Sequence, residues 1–419
     1  MSRDNTGSSS RRGFLKSAGA VAAVAGGGFA QGAEARTQGS VATSIEPFYG
    51  ARQSGILTPA QHHSYFAAFD LDANARNDVI AMLSSWTAAA AALTQGEEAP
   101  TPSGSNGPED STETLGLSPA RLTLTFGFGA GLFMKDGRDR YGLAAARPDA
   151  FIDLPHFQGD QLIERRTGGD LSVQACADDP QVAFHAIRHF AELGYGTARL
   201  RWTQTGFLPH AKPGETPRNL MGFKDGTSNP DDEAALAKFV FVSSDGPAWM
   251  RGGSYVVARR ILIGLEHWDR MNVDLQEQTI GRHRANGAPL GKTGEFDAPD
   301  LAALDKDGAP VLPAHAHIRL AAAENNGGAR ILRRPYSYND GASYTAERWP
   351  PWRQGVQYDA GLFFVCYQRD PRQGFVKIFS KLAQFDLLNR FSTHTGGGLF
   401  ACPGGIAPGE YVGESLFEG

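Results

Sequence analysis

Apolar and polar positions divide the first half of the chain into segments with the periods of strands and helices. Alternation and short apolar runs predict strands at residues 64–71, 121–129, 170–177 and 196–207. Helical spacing predicts helices at 76–93, which Asn74 would cap, and at 180–193, which Asp179 and Pro180 would open. The order strand, helix, strand, strand, helix, strand is typical of a ferredoxin-like unit, an antiparallel sheet with both helices on one face.

The second half repeats this order without residue-level similarity to the first. Strands are predicted at 253–268, 329–338, 361–369 and 397–404, and helices at 271–280 and 370–385. A long polar stretch interrupts the unit at 281–313. The pattern predicts an α+β protein of two tandem ferredoxin-like units with antiparallel sheets. We place the N-terminal domain at 46–221 and the C-terminal domain at 222–419.

The N-terminus has the three parts of a secretory signal. Arg11 and Arg12 precede a weakly apolar run at 17–30, and an Ala-Glu-Ala site ends at Ala35. The paired arginines indicate a twin-arginine signal peptide at 1–35, the type that directs export of folded proteins, often around a cofactor. No later run is long and apolar enough to span a membrane stably. We therefore expect a periplasmic protein.

Composition narrows the classes of partner and metal site. Removal of the signal leaves 384 of 419 residues and changes the net charge from −5 to −7, which disfavours nucleic acid as a partner. The cysteines Cys176, Cys366 and Cys402 are far apart and form no CxxC pair, so a zinc or iron–sulfur site is disfavoured. In an oxidising compartment two of these three cysteines can form one disulfide, and the sequence does not show which two.

Three polar segments are the candidates for chemistry. The first is the sequence GFKDGTSNP at 222–230, where Asp225 alone reads as an ordinary turn aspartate. The second contains His315 and His317, which have no third ligand near them and make a weak zinc site. The third contains Arg333 and Arg334 in a predicted strand, where arginines are most often solvated or ion-paired. None of these segments is specific by itself.

Taken together, the segments resemble the dye-decolourising peroxidases, haem enzymes built from two ferredoxin-like units. GFKDG matches the family's GxxDG signature, AHIR resembles the segment of its haem-ligating histidine, and RILRR resembles the strand of its distal arginine. IGRHRANGAPLG, at 280–291, resembles its haem-edge loop. The resemblance runs from Glu46 to near the C-terminus. With the twin-arginine signal, it is strongest to the secreted bacterial branch that is linked to iron uptake.

The resemblance implies one haem b per chain, bound mainly by the second unit. His317 would be the proximal ligand of the iron, Asp225 the distal acid–base residue and Arg333 the distal arginine. Arg282 would pair with a haem propionate, and His315 is a competing ligand because an extra His-Ala precedes HIR. Backbone and hydroxyl groups would line the haem at Gly226, Thr227 and Ser228. Relatives often have Asn-Pro-Arg after the histidine where this chain has AAAENN, which puts that contact in doubt.

The implied function is a haem peroxidase that reduces hydrogen peroxide and oxidises dyes or porphyrinogens by one-electron steps. A proximal imidazole leaves one face of the haem open, a carboxylate can move the peroxide proton, and a guanidinium can stabilise the anion. The alternative is a haem-binding iron-delivery protein with incidental peroxidase activity. A third interpretation is a structural protein without haem. Implied partners are a small organic reductant or porphyrin, proteins of an iron-uptake system and a second copy of the chain in a homodimer.

Overall fold

The computed structural model describes residues 44–99, 116–210, 214–346 and 354–419, which form nine strands and nine α-helices. The strands are His63–Leu71 (β1), Thr123–Phe128 (β2), Leu171–Ala177 (β3), Ala198–Phe207 (β4), Ser254–Ile263 (β5), Leu332–Arg333 (β6), Tyr336–Ala346 (β7), Gln354–Gln368 (β8) and Ser392–Cys402 (β9). The helices are Arg76–Gln95 (α1), Ala130–Phe133 (α2), Pro180–Leu193 (α3), Glu233–Phe239 (α4), Leu265–Trp268 (α5), Val273–Ile280 (α6), His317–Ala321 (α7), Phe375–Phe385 (α8) and Glu414–Phe417 (α9).

The two halves have the same strand order. The first half forms an antiparallel sheet in the order β2-β3-β1-β4, and α1 and α3 pack together over it through the fully buried Trp86, Phe126 and Phe190. The second half has the order β9-β5-β8-β7, with β6 and β7 lying end to end along β8. Both orders are those of a ferredoxin-like unit, so the predicted fold class and the repeat of topology are confirmed.

The two sheets close into one barrel, which the strand pattern had not predicted. Phe128 of β2 pairs with Ala401 of β9, and Phe207 of β4 pairs with Ser337 of β7. The barrel interior is aromatic: the Phe66 ring lies 5.2 Å from Trp202 and 5.5 Å from Phe363. Closure leaves no free lateral edge around the ring of eight strands, which protects a large sheet from edge pairing.

Several predicted element boundaries were wrong. The strand predicted at 253–268 ends at Ile263, because the chain leaves extended geometry at Gly264 and turns into α5. Helix α1 has Ala75 at its N-cap with no side-chain hydrogen bond, so Asn74 is not its cap. Helix α8 begins at Phe375, after a turn at 370–374 in which Gly374 donates to the carbonyl of Asp370.

The remaining expectations on organisation have different outcomes. Cys176, Cys366 and Cys402 are all buried and free, so the disulfide that the sequence left open is not formed. Within the described ranges, no helix combines the length and the apolar character needed to cross a bilayer. The signal peptide at 1–35 lies outside the described residues. The domain boundary at 221/222 stays a prediction.

Candidate active site

The GFKDG loop is shaped by two glycines with positive φ. Gly222 has a φ of +85° and Gly226 has a φ of +116°, a region in which other residues are strained. A Cβ on Gly222 would also lie 2.8 Å from Nε of Arg284, whereas one on Gly226 would meet nothing closer than 3.5 Å. The backbone path therefore favours glycine at both positions, and at Gly222 an added Cβ would also displace the guanidinium end of Arg284. Between them, the amide N–H of Asp225 donates to the carbonyl of Pro217 at 3.1 Å.

Two cations fasten this loop to the segment at 281–295. Nζ of Lys224 forms an ion pair with Glu295, and the two side chains are only 6% and 9% exposed. Burial opposes ionisation of Glu295, but the hydrogen bond from Lys224 holds its pKa below the usual value. Arg218 donates to three main-chain carbonyls, those of Gly222, Arg284 and Ala285. Lys224 is thus a structural anchor of the loop.

Asp225 and Arg333 form an ion pair in the wall of a cavity. Nη1 of Arg333 donates to Oδ1 of Asp225 at 2.9 Å, and the side chains are 25% and 18% exposed. The cavity has a volume of about 460 Å³ and is lined by this pair, by Gly226 and by apolar residues such as Leu332 and Leu362. A small molecule in the cavity can therefore reach both charged groups. A carboxylate beside a fixed guanidinium can move a proton while the neighbouring cation stabilises an anion.

His317 is the first residue of α7 and is held by a buried carboxylate. Its Nδ1 lies 2.6 Å from Oδ2 of Asp386, whose side chain is 3% exposed. The other oxygen of Asp386 accepts the amide N–H of Leu388 at 2.8 Å. Burial lowers the pKa of His317, but the charge and hydrogen bond of Asp386 outweigh burial and raise it. An imidazole that donates Nδ1–H to a carboxylate presents Nε2 as a metal ligand.

The charges of these separate segments act on one another. Arg333 lowers the pKa of His317 and Asp225 raises it, each by less than Asp386 does. Arg282 is 5% exposed, and its pKa is lowered first by burial and then by the charge of Arg333, against the carboxylates of Glu295 and Asp225. Its Nη1 donates to the carbonyl of Glu295 at 2.9 Å and to that of a nearby glycine at 2.6 Å. Asp225 and Arg333 line the cavity, whereas His317 and Arg282 are not among the residues that line it and are linked to the pair through these charge effects.

Both halves of the chain match models of a known family. The model for the N-terminal part of Dyp-type peroxidases matches residues 53–208, and the model for the C-terminal part matches residues 216–407. The chain belongs to the Dyp-type peroxidase family. The family predicted from the GxxDG, AHIR and RILRR segments is therefore confirmed.

Individual Dyp-type peroxidases are similar over nearly the whole chain. A dye-decolorizing peroxidase of Thermobifida fusca is 38% identical over 444 residues, which cover 98% of each chain. A deferrochelatase of Escherichia coli (strain K12) is 37% identical over 428 residues, which cover 98% of this chain and 97% of the relative. The structure of ferric DtpA from Streptomyces lividans superposes with a TM-score of 0.81 at 41% identity, covering 91% of this chain and 99% of that one.

The remaining predicted site residues differ in their position relative to the cavity. Of the turn residues, Gly226 lines the cavity together with the Asp225–Arg333 pair, whereas Thr227 and Ser228 do not line it, and Ser228 is exposed. His315 is exposed, with Nδ1 3.1 Å from the carbonyl of Phe385. The roles carried over from the resemblance stay predictions for all of these residues.

Sequence reasoning missed two residues that hold the site together. Asp386 follows helix α8 and lies 69 positions after its partner His317, and its only local signal is its place at the end of an amphipathic helix. Glu295 lies in the polar stretch at 281–313, where nothing distinguishes it from exposed acidic residues. Only the fold distinguishes these two carboxylates, because it shows that each is buried beside a basic side chain.

Proposed function

We propose that this Dyp-type peroxidase is a haem b enzyme that reduces hydrogen peroxide and oxidises organic substrates, such as dyes and porphyrinogens, by one-electron steps. The observation that carries the proposal is the pairing of Arg333 with Asp225 in the wall of a cavity, beside a His317 that is held by a buried carboxylate and whose pKa responds to the charges of the pair. One haem per chain, bound mainly by the second unit, is the cofactor.

The donor set fits haem. His317 is oriented by Asp386 through Nδ1, no described residue hydrogen-bonds to its Nε2, and 29% of its side chain is exposed. Such an imidazole would suit a ligand of the haem iron, and this supports His317 over His315 as the residue that would hold it. Arg282 is the candidate partner of a propionate. The turn residues Gly226, Thr227 and Ser228 are candidates for lining the macrocycle. Bound haem supplies the redox chemistry of peroxide reduction.

Asp225 and Arg333 act on the peroxide. Asp225 accepts the proton from one peroxide oxygen and returns it to the other, either directly or through a water molecule. The guanidinium of Arg333 stabilises the hydroperoxide anion and the charge that develops on the departing oxygen. The apolar lining contributed by Leu332 and Leu362 lowers the local dielectric and strengthens both effects.

The test is the reaction of haem-loaded protein with peroxide, followed by stopped-flow absorbance in the Soret region. Asp225→Asn is expected to slow this reaction by about 10²- to 10⁴-fold while haem content stays normal, because the variant lacks the base but keeps the shape. A matched control is Asp245→Asn, which alters another Asp–Arg pair, with Arg369, on the protein surface. A normal rate in Asp225→Asn would contradict the acid–base role.

Iron delivery is the second candidate function, supported by the 37% identity to the Escherichia coli deferrochelatase. The two functions separate in one experiment, in which free iron and metal-free porphyrin are measured beside peroxide turnover. Turnover without iron release supports the peroxidase. Stoichiometric iron release with intact porphyrin, and slow turnover, supports iron delivery and a link to an iron-uptake system.

The proposal includes export through the twin-arginine route to the periplasm, on the sequence of residues 1–35 with its pair Arg11 and Arg12. A small organic reductant or a porphyrin would be the second substrate, and a homodimer is the proposed assembly. Replacing both arginines with lysine should retain the protein in the cytoplasm, as cell fractionation would measure. Sedimentation of the haem-loaded protein tests the dimer.

A further inference from the structure

We propose that Asn229 is a positioning residue for Arg333 in the peroxide reaction. Its side-chain amide makes two hydrogen bonds to the main chain of Arg333: Oδ1 accepts the N–H at 3.0 Å, and Nδ2 donates to the carbonyl at 2.7 Å. The proposal rests on the proposed role of Arg333. Asn229 also lines the cavity, but its side-chain amide is bonded to the main chain of Arg333, and the proposed role is exerted through the arginine.

The position of Arg333 in the sheet explains why such a partner is needed. Arg333 pairs with Cys366 of β8, and the next residue, Arg334, donates its N–H to the carbonyl of Val365 at 2.8 Å. In an antiparallel ladder, alternate residues turn their N–H and C=O groups toward opposite edges. The peptide groups of Arg333 therefore face away from β8.

Within the described part of the chain, no neighbouring strand pairs with the outward edge at Arg333. Strand β6 has only two residues and stops before Pro335, and pairing with β4 occurs further on, at Ser337. Two peptide groups of a partly buried residue would be left without partners there, which would be unfavourable. The amide of Asn229 takes the place of the missing strand, since it offers one acceptor and one donor as a peptide does.

The same contact fixes the distance between the two catalytic groups. Asn229 lies four residues after Asp225 in the same loop, so its amide ties the loop of the carboxylate directly to the strand of the guanidinium. The carbonyl of Asn229 also accepts from the side chain of Arg330 at 3.2 Å, a second link between the loop and the segment that leads into β6. Asn229 therefore joins the two segments close to the 2.9 Å hydrogen bond between Asp225 and Arg333.

The first experiment compares the bimolecular rate of peroxide reaction in haem-loaded wild type and Asn229→Ala. We expect the rate to fall roughly tenfold to a hundredfold, the effect of displacing a reacting group by about 1 Å, with normal haem content. The matched control is Gln53→Ala. The amide of Gln53 bridges the N–H and C=O of Phe126 at 2.8 and 3.0 Å in the same way, but in the first unit. This control variant should have a lower free energy of unfolding but an unchanged rate of reaction with peroxide.

A double-mutant cycle separates positioning from general stabilisation. In an Arg333→Ala background, Asn229→Ala should have no further effect on the rate, because the group that it positions is gone. An equal fall in both backgrounds overturns the proposal. If Arg333→Ala alone leaves the rate unchanged, the proposed role of Arg333 fails instead. Should Asn229→Ala not bind haem, Asn229→Gln replaces it in the cycle, because its longer side chain cannot meet both peptide groups.

Discussion

The contact between Asp386 and His317 gives the sharpest prediction on the cofactor. The carboxylate makes two hydrogen bonds, one to Nδ1 of His317 at 2.6 Å and one from the N–H of Leu388 at 2.8 Å. In Asp386→Asn, the amide oxygen can accept only one of these donors, and the amide nitrogen then faces the other. If the oxygen stays on Leu388, the imidazole must take the tautomer that carries its proton on Nε2, which cannot bind iron.

The expected loss is about 10- to 100-fold in haem affinity, the usual effect of removing an outer partner of a metal-bound histidine. That change corresponds to about 1.4–2.7 kcal/mol. The reduction potential of the iron should become more positive, because a neutral partner no longer raises the basicity of the imidazole. Haem is titrated into the apoprotein and followed at the Soret band, and the potential is measured by spectroelectrochemistry.

A matched control excludes a simple loss of helix capping. Asp179 accepts the N–H of the residue two positions later at 2.7 Å, as Asp386 does, but it has no histidine partner at the candidate site. Asp179→Asn should therefore keep wild-type haem affinity. Wild-type affinity and potential in Asp386→Asn would refute the reasoning, since His317 would then not depend on the buried carboxylate for its orientation.

Three further predictions concern the ligand, the loop and the pH dependence of folding. His317→Ala should lose the Soret band of the reconstituted protein, whereas His315→Ala should keep it. Gly222→Ala should lose more free energy of unfolding in urea than Gly137→Ala, because both have positive φ, at a cost of about 1–2 kcal/mol, but only Gly222 would place a Cβ against a neighbouring side chain. Burial, followed by the charge of a nearby arginine, lowers the pKa of His394 from 6.5 to about 3. The unfolded chain therefore binds a proton between these pH values that the folded chain does not, and stability falls as the pH drops through this window. His394→Leu should make the fall shallower by up to about 1.4 kcal/mol per pH unit, and an unchanged slope in pH-dependent denaturation would show that His394 does not cause it.

The sequence predicted the order of elements in each half but not the way in which the halves join. Strand alternation and helix periodicity report which face of an element is buried, and this was enough to place β1 to β4 within a few residues. The barrel depends on two single-residue pairings, Phe128 with Ala401 and Phe207 with Ser337, which connect distant positions and leave no local pattern. Propensity also fails where tertiary packing decides, as at the turn from β5 into α5.

The candidate site was predictable for the residues that lie in recognisable motifs. It was not predictable for the residues that support them from distant parts of the chain. GFKDG and RILRR indicated Asp225 and Arg333, and the fold brings these two into contact. The residues that orient the predicted groups are Asp386 and Asn229, one 69 positions from its partner and the other 104. An aspartate after a helix and an asparagine before a proline are ordinary in sequence, so only their burial and their partners mark them.

The tandem arginines show why the site needs both halves of the chain. Successive side chains of a strand point to opposite faces, so a pair of arginines must divide between two environments, although the sequence does not say which arginine takes which. Arg333 reaches Asp225, whereas Arg334 is 7% exposed and reaches the carbonyl of Thr58 and the side chain of Gln61 in the first unit. The strand that presents Arg333 is thus anchored one residue later to the other half. A C-terminal fragment cut at the predicted boundary of 221/222 would keep Asp225 and Arg333 but would lose the partners of Arg334, together with Pro217 and Arg218 of the cavity lining.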